Sequence, residues 1–310
     1  MEKEMTSEER KAYNAARKKL EAERKPTIGL QFKRHAWKHI IAIAVAIYAV
    51  FPLLYIFSAS LNEGGTLTGS NSLFATIGVG NYADLFDNPQ KPFANWFVNT
   101  LIVSGSTAIG SVFLSALAAY AFSRMRFKGR RAGLLTLILV QMFPQLLALV
   151  AIYALLSEIG QVFPWMGTGT HLGLILVYLG GALGANTYLM YGFFNTIPKE
   201  LDEAAKIDGA THTQIFYGMI LRLAAPILAV IGLLSFIGTS SDFLLANIIL
   251  IKPEDKTLAV GLYSYVSDQF NQEWTVFAAG AVIAATPIVG LFLYLQRYIV
   301  SGLIGGAVKG

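Results

Sequence analysis

Six long, mostly apolar stretches of this chain contain no Asp, Glu, Lys or Arg: 39–62, 92–123, 132–157, 159–198, 223–241 and 275–296. About 20 consecutive apolar residues cross the hydrocarbon core of a bilayer as a helix. Each stretch is long enough for one crossing. The stretch 159–198 is long enough for two, but its first part, GQVFPWMGTGTH at 160–171, is rich in Gly, Pro and Thr and reads as a loop. Only the part from Leu172 to about Phe194 reads as a span. The pattern predicts an all-α membrane protein with six transmembrane helices. A buried helix in a large soluble core would explain one such stretch, not six in a row. Composition agrees, with 55% hydrophobic and 14% charged residues, against roughly 45–50% and about 25% in soluble domains.

Lys and Arg in the connections set the orientation of such a chain, while acids contribute little. Segments 1–38, 124–131, 199–222 and 297–310 carry 11, 5, 3 and 2 of them, which makes 21. The alternate segments 63–91, 158–171 and 242–274 carry 1, 0 and 2, which makes 3. Acids divide 10 against 9. The expectation is that both termini face the cytoplasm, as an even number of spans requires. The net charge of +5 is then a topology signal and implies no nucleic-acid partner.

The spans form one six-span domain, 39–310, preceded by a charged cytoplasmic tail, 1–38. Thr6 and Glu9 have the spacing of a capping box, predicting a charged helix from there to about Arg24, before Pro26. The tail reads as a solvated charged helix. It does not read as a signal peptide, because the charged region is too long and the first apolar run has full spanning length.

Several chemistries are missing. The chain has no Cys, hence no thiolate site. It has no GxxxxGK[ST] phosphate loop, no HExxH and no GxSxG. His35, His39, His171 and His212 are scattered and predict no metal site. The spans hold no Asp, Glu, Lys or Arg. This counts against a secondary transporter that uses a buried carboxylate, and nothing marks a membrane-embedded enzyme. Asp242, at the outer end of span five, reads as an interfacial acid facing water.

The polar groups within the spans are neutral, and they either join helices or line a polar path. Gln141 and Gln145 flank Pro144 four residues apart, which predicts one shared helix face. Asn99, Gln141, Gln145, Asn186 and Ser241 are the candidates for a translocation path. A neutral hydrogen-bonding lining suits an uncharged hydroxylated solute better than an ion. Gly180 and Gly184 form a GxxxG, which permits close helix contact without naming the neighbour.

The connection between spans four and five reads IPKELDEAAKIDGATHTQIFYGMILRLAAP, from Ile197 to Pro226. Its pattern is a short helix, a Gly turn and a second helix. Glu200, Asp202 and Glu203 suit the first helix's positive N-terminal end. Leu201, Ala204 and Ala205 fall on one face. Gly209 supplies the turn. Ile215, Phe216 and Met219 begin an apolar stripe leading into span five.

EAAKIDGA at 203–210 resembles the EAA motif of permease subunits of binding-protein-dependent ABC importers. AYAFSRMRF at 119–127, QMFP at 141–144, THLGLILVYLGG at 170–181, PILAV at 226–230 and GGAVKG at 305–310 resemble the MalG-type subunits of the maltose/maltodextrin class. The resemblance runs from about Ile40 to Gly310 and leaves the 1–38 tail unmatched. One departure is Leu221-Arg222, where the family usually has Leu-Pro.

The resemblance implies the MetI-like permease fold, a multi-pass place in a prokaryotic inner membrane, and a non-catalytic role. It implies two ATPase subunits that carry ATP and Mg, a second MalF-like permease and an extracytoplasmic sugar-binding protein. This chain itself would hold no cofactor. Leu201, Glu203, Ala204, Ala205, Asp208 and Gly209 take the ATPase-coupling positions, and Gly305, Gly306, Lys309 and Gly310 an ATPase-interface tail. Lys252, Pro253, Glu254, Asp255 and Lys256 take the binding-protein contact. The implied solute is maltose, maltodextrin or a related disaccharide such as trehalose. An importer for another solute shares the EAA motif and remains the alternative.

Overall fold

The computed structural model describes residues 8, 11–16, 28–63, 73–267 and 272–307. Every regular element among them is helical. The chain divides into two compact units, 1–55 and 56–310. In the first, residues 11–16 are helical; much of the helix expected from Thr6 to Arg24 lies outside the described residues. Helix α1, Ile28–Leu61, contains Pro52. Its part Ala36–Leu61 is long and apolar enough to cross a membrane. Ile40, Ile43, Ile47 and Tyr48 on it are exposed.

The second unit is built around α3, Phe93–Arg124, which follows the short α2, Gly80–Asp87. Thr100, Ser104, Thr107, Ser111 and Ser115 of α3 are buried, while Val98, Ile102, Ile109 and Phe113 are exposed. The face turned inward is thus the one with small polar side chains. That inverts the pattern of a water-soluble helix. It is the arrangement a bilayer favours, because lipid solvates apolar side chains and small residues let helices approach. Helices α6, His171–Phe194, and α9, Ala225–Ser240, pack on α3. Helix α12, Trp274–Ala307, packs on α9 and α2.

Helices α3, α6 and α12 are, like α1, each long and apolar enough to cross alone. Two more crossings are bent pairs, which brings the number to six. The expected straight span over 132–157 is one of them. It consists of α4, Arg130–Gln141, and α5, Gln145–Val162, bent by 102°. Pro144 is the cause. It has no N–H to give to a helix and sits in extended backbone, at φ −61° and ψ 114°. Gln141 ends one helix and Gln145 begins the next, so the two do not share a helix face. The second pair is α8, His212–Leu223, with α9, bent by 77° at Ala224, just before Pro226. Helix α9 has 16 residues and is about 24 Å long, so it is short for a core of about 30 Å.

Between α9 and α12 lie two short helices, α10, Leu244–Ile249, and α11, Leu258–Tyr263. They pack into two apolar clusters at the Trp96 end of the bundle. One joins Val103, Leu174 and Tyr178 to Leu245, Ile249 and Val260. The other joins Leu85, Phe93 and Trp96 to Leu258, Leu262, Tyr265 and Val276. A third cluster lies at the Arg124 end, where Ala119, Tyr120, Met190 and Phe194 meet Ile215, Phe216 and Ile220.

Candidate functional site

The segment between α6 and α9 forms the helix, turn and helix that its residues predict. Helix α7, Glu200–Ile207, has Glu200, Asp202 and Glu203 in its first turn and Lys206 in its last, each at the end where the helix dipole stabilises its charge. Gly209 ends it at φ +85°. The Gly209 N–H donates to Lys206 O (3.0 Å) and the Ala210 N–H to Ala205 O (2.9 Å), the two bonds of a Schellman motif. Thr211 and Gln214 then form a capping box that starts α8. Within α8, residues Phe216–Ile220 are wound as a π-helix.

Helix α7 turns an acidic side chain inward. Asp202 is buried and Ala205 packs on the apolar cluster. Leu201 and Ala204, which share a helix face with Ala205, are exposed, as a docking face requires. Ile207 is 87% exposed, and Glu203, Asp208 and Gly209 are exposed as well. The reason is an ion pair, which turns α7 so that its acid faces inward. Arg124 Nε lies 2.5 Å from Asp202 Oδ2, with side-chain exposures of only 4% and 8%. Arg124 Nη2 also donates to Ile197 O at 2.9 Å.

One turn earlier on α3, Tyr120 Oη pairs with His212 Nδ1 at 3.2 Å, and its ring lies 5.0 Å from that of Phe216. Beside these residues is a cavity of about 500 Å³, bordered by Arg126, Arg130, Lys199, Lys206 and Glu203. Sequence reasoning missed Tyr120, Arg124 and His212. The only available signal was the i, i+4 spacing of Tyr120 and Arg124 at a span end, which names no partner.

The intramembrane candidates are spread over several places. Asn186 Nδ2 on α6 donates to Ser111 Oγ of α3 (2.8 Å) and Ser235 Oγ of α9 (3.2 Å). It therefore clamps three helices together. Gln141 Nε2 donates to Gly181 O, which ties α4 to α6. Gly184 explains how close those helices come, since a Cβ there would lie 2.6 Å from Leu137 O. The neighbour of the GxxxG segment is thus α4. Gln141 also borders a groove of about 800 Å³ with Val177 and Gly180. The side chain of Gln145 lies outside the described residues. Ser241 borders a mainly apolar cavity of about 280 Å³ with Phe97, Phe236 and Ser240.

At the Trp96 end, residues 252–256 are held from beneath. Trp96 Nε1 donates to Pro253 O at 2.7 Å. Asn99 Nδ2 donates to Glu254 O (2.8 Å) and Lys256 O (3.1 Å), and His171 Nε2 to Asp255 O at 2.8 Å. The Leu258 N–H donates to Thr100 Oγ1 at 2.7 Å. Lys252, Pro253 and Glu254 are exposed, and Asp255 and Lys256 are half-buried.

Asp242 is not a free interfacial acid. Its Oδ1 accepts from Tyr178 Oη (2.8 Å) and from the N–H groups of Leu245 and Ala246, which fixes the start of α10. Lys91 Nζ pairs with Glu273 Oε2 at 2.6 Å and lies 4.1 Å from the Tyr265 ring. Burial, and secondarily the charges of Glu273 and Asp84, push the Tyr265 phenol up to about 12. At the other end, Gly305 and Gly306 belong to α12, while Lys309 and Gly310 lie outside the described residues.

The model of the family "binding-protein-dependent transport system inner membrane component" matches residues 111–304. The maltose/maltodextrin transport system permease protein MalG of Vibrio vulnificus is 42% identical over 293 residues, covering 91% of this chain and 98% of that protein. The galactooligosaccharides transport system permease protein GanQ of Bacillus subtilis is 39% identical over 281 residues, covering 90% and 97%. Among solved structures, a chain of a bacterial ABC transporter involved in the import of the acidic polysaccharide alginate aligns with a TM-score of 0.73. It is 23% identical and covers 88% of this chain and 99% of that one. That likeness concerns the fold.

Proposed function

The chain belongs to the family of binding-protein-dependent transport system inner membrane components, and from that premise we propose that it is the sugar-conducting permease subunit of an ATP-driven importer. Its termini face the cytoplasm, the orientation that the split of 21 Lys and Arg against 3 favours. It assembles with a second permease, two ATPase subunits that bind ATP and Mg, and an extracytoplasmic binding protein. It performs no chemistry itself. The solute is a neutral oligosaccharide of the maltodextrin type, by analogy with relatives about 40% identical whose names carry maltodextrin and galactooligosaccharides.

The observation that carries this reading is the α7–Gly209–α8 element. It holds Leu201, Glu203, Ala204 and Ile207 outward and is bound on its inner side through Asp202. An exposed apolar patch rimmed by acids suits docking into a cleft of the ATPase. Closure of the two ATPases around ATP then pushes on α7 and turns the spans from inward-open to outward-open. Ala205, Asp208 and Gly209 fix the shape of the pushed element. Gly305, Gly306, Lys309 and Gly310 extend the ATPase interface. The 252–256 segment meets the binding protein at the opposite end.

The test is reconstitution. All subunits are purified together, placed in liposomes, and assayed for uptake of labelled maltodextrin and galacto-oligosaccharide along with ATP hydrolysis. Uptake that requires the ATPase, the binding protein and ATP supports the proposal. Transport by this chain alone would sink it. Uptake of a different solute class under the same requirements would retain the importer and replace the sugar.

A further inference from the structure

We propose that Arg124 is a positioning residue that carries the displacement of α7 into α3. This rests on the coupling role assigned to α7 above. Arg124 is the last residue of α3, so whatever pulls on its side chain acts on the end of a span. Its guanidinium grips α7 through Asp202 and the entry to α7 through Ile197 O. Both partners belong to the connection that leaves α6, and neither lies on α3. Tyr120, four residues earlier and on the same face, grips the start of α8 at His212. The last turn of α3 therefore holds both helices of the connection at two separate points.

The chemistry of the grip points to direction rather than to adhesion. Adhesion is already supplied by Ala205 and Ala210 against Phe216, Ile220 and the surrounding apolar cluster. A buried ion pair is often no more stable than apolar groups of the same shape, because desolvation offsets attraction. What it adds is a fixed geometry between two named groups. Apolar surfaces can slide past each other; a buried guanidinium held by a carboxylate at Nε and by Ile197 O at Nη2 cannot do so without losing a contact. Arg124 Nε and Nη1 and Asp202 Oδ1 are buried without hydrogen-bond partners, so pulling the two charges apart would strand both in the interior.

Three variants in the reconstituted complex test this: R124K, the apolar pair R124M/D202L, and, as a control on the coupling role of α7, Gly209→Val. The apolar pair removes both charges together and leaves no unpaired ion. Its complex is expected to assemble and hydrolyse ATP, with transport per ATP lowered about fivefold or more, the range of ordinary coupling energies. R124K keeps the charge but cannot reach Asp202 and Ile197 O with separate planar donors, and is expected to fall between wild type and the apolar pair.

A purely structural Arg124 predicts less assembled complex with unchanged transport per ATP. That result in the apolar pair overturns the proposal. If the apolar pair does not assemble, R124K decides, and wild-type transport per ATP in R124K overturns it. If Gly209→Val is fully coupled as well, the coupling role of α7 has failed. If only the Arg124 variants stay coupled, the role of α7 stands and the link through Arg124 is refuted.

Discussion

Gly209 offers a perturbation whose cost is conformational alone. Its φ is +85°, and a Cβ built there meets nothing within 4 Å. A Cβ therefore clashes with no described residue, but the residue must adopt the left-handed region. For an ordinary L-residue that costs about 1–2 kcal/mol, and Asn and Asp pay less. The Schellman end of α7 then forms about 5- to 30-fold less readily in Gly209→Ala, more weakly still in Gly209→Val, whose β-branch makes positive φ an outlier, and least weakly in Gly209→Asn. Hydrogen exchange at Gly209 and Ala210 in the purified chain reads the loss directly, because those two N–H groups make the closing bonds. Affinity for the ATPase should fall in the same order. The reasoning is refuted if Ala matches Gly, or if the loss follows side-chain volume so that Asn is worse than Ala.

Other outcomes follow from single contacts. Gly184→Leu drives a side chain against Leu137 O and Gln141; it should cost about 1–3 kcal/mol by overpacking, seen as a lowered melting temperature in detergent. Trp96→Phe removes the bond to Pro253 O, worth about 1 kcal/mol; limited proteolysis at 252–257 should quicken while the helical content holds. For Tyr265 the folded pKa lies above the ordinary value of 10. Its contribution to stability is thus complete below about pH 10 and lost as pH rises towards 12. Alkaline unfolding followed by tyrosinate absorbance should show this loss in the wild type and lack it in Tyr265→Phe.

Charge spacing made the spans legible, because the bilayer's demand for about 20 apolar residues is written directly into composition. It could not reveal that 132–157 is broken. Its apolar content is continuous, and only Pro144 marks the 102° bend. The turn at Gly209 was legible because few residues other than Gly adopt its backbone. The orientation of α7 was not. Periodicity puts Leu201, Ala204 and Ala205 on one face without naming the side that packs inward, and the partner that decides it, Arg124, is distant in sequence. Arg124 entered the charge count as one of five cations in 124–131, though its side chain is 96% buried against an acid. Counting charges cannot separate an anchor of topology from half of an ion pair.

The same limit applies to the intramembrane amides, and it bears on where a sugar could be held. Asn186 and Asn99 are the amides that a path-lining reading would choose first. Each spends its N–H groups within the chain: Asn186 on Ser111 and Ser235, Asn99 on the backbone of 254 and 256. A sugar that recruited either would have to break those bonds, at about 0.6–1 kcal/mol each. Gln141, by contrast, borders an open groove and donates only to Gly181, and Ser241 borders a cavity with no described bond from its hydroxyl. Asn186→Ala should therefore lower thermal stability, by about 0.6 kcal/mol per lost membrane hydrogen bond, and leave the KM for the solute unchanged. Gln141→Ala or Ser241→Ala should raise KM with little change in stability. A KM shift in Asn186→Ala at unchanged stability would put the path through the α3–α6–α9 junction and refute the assignment of Asn186 to packing.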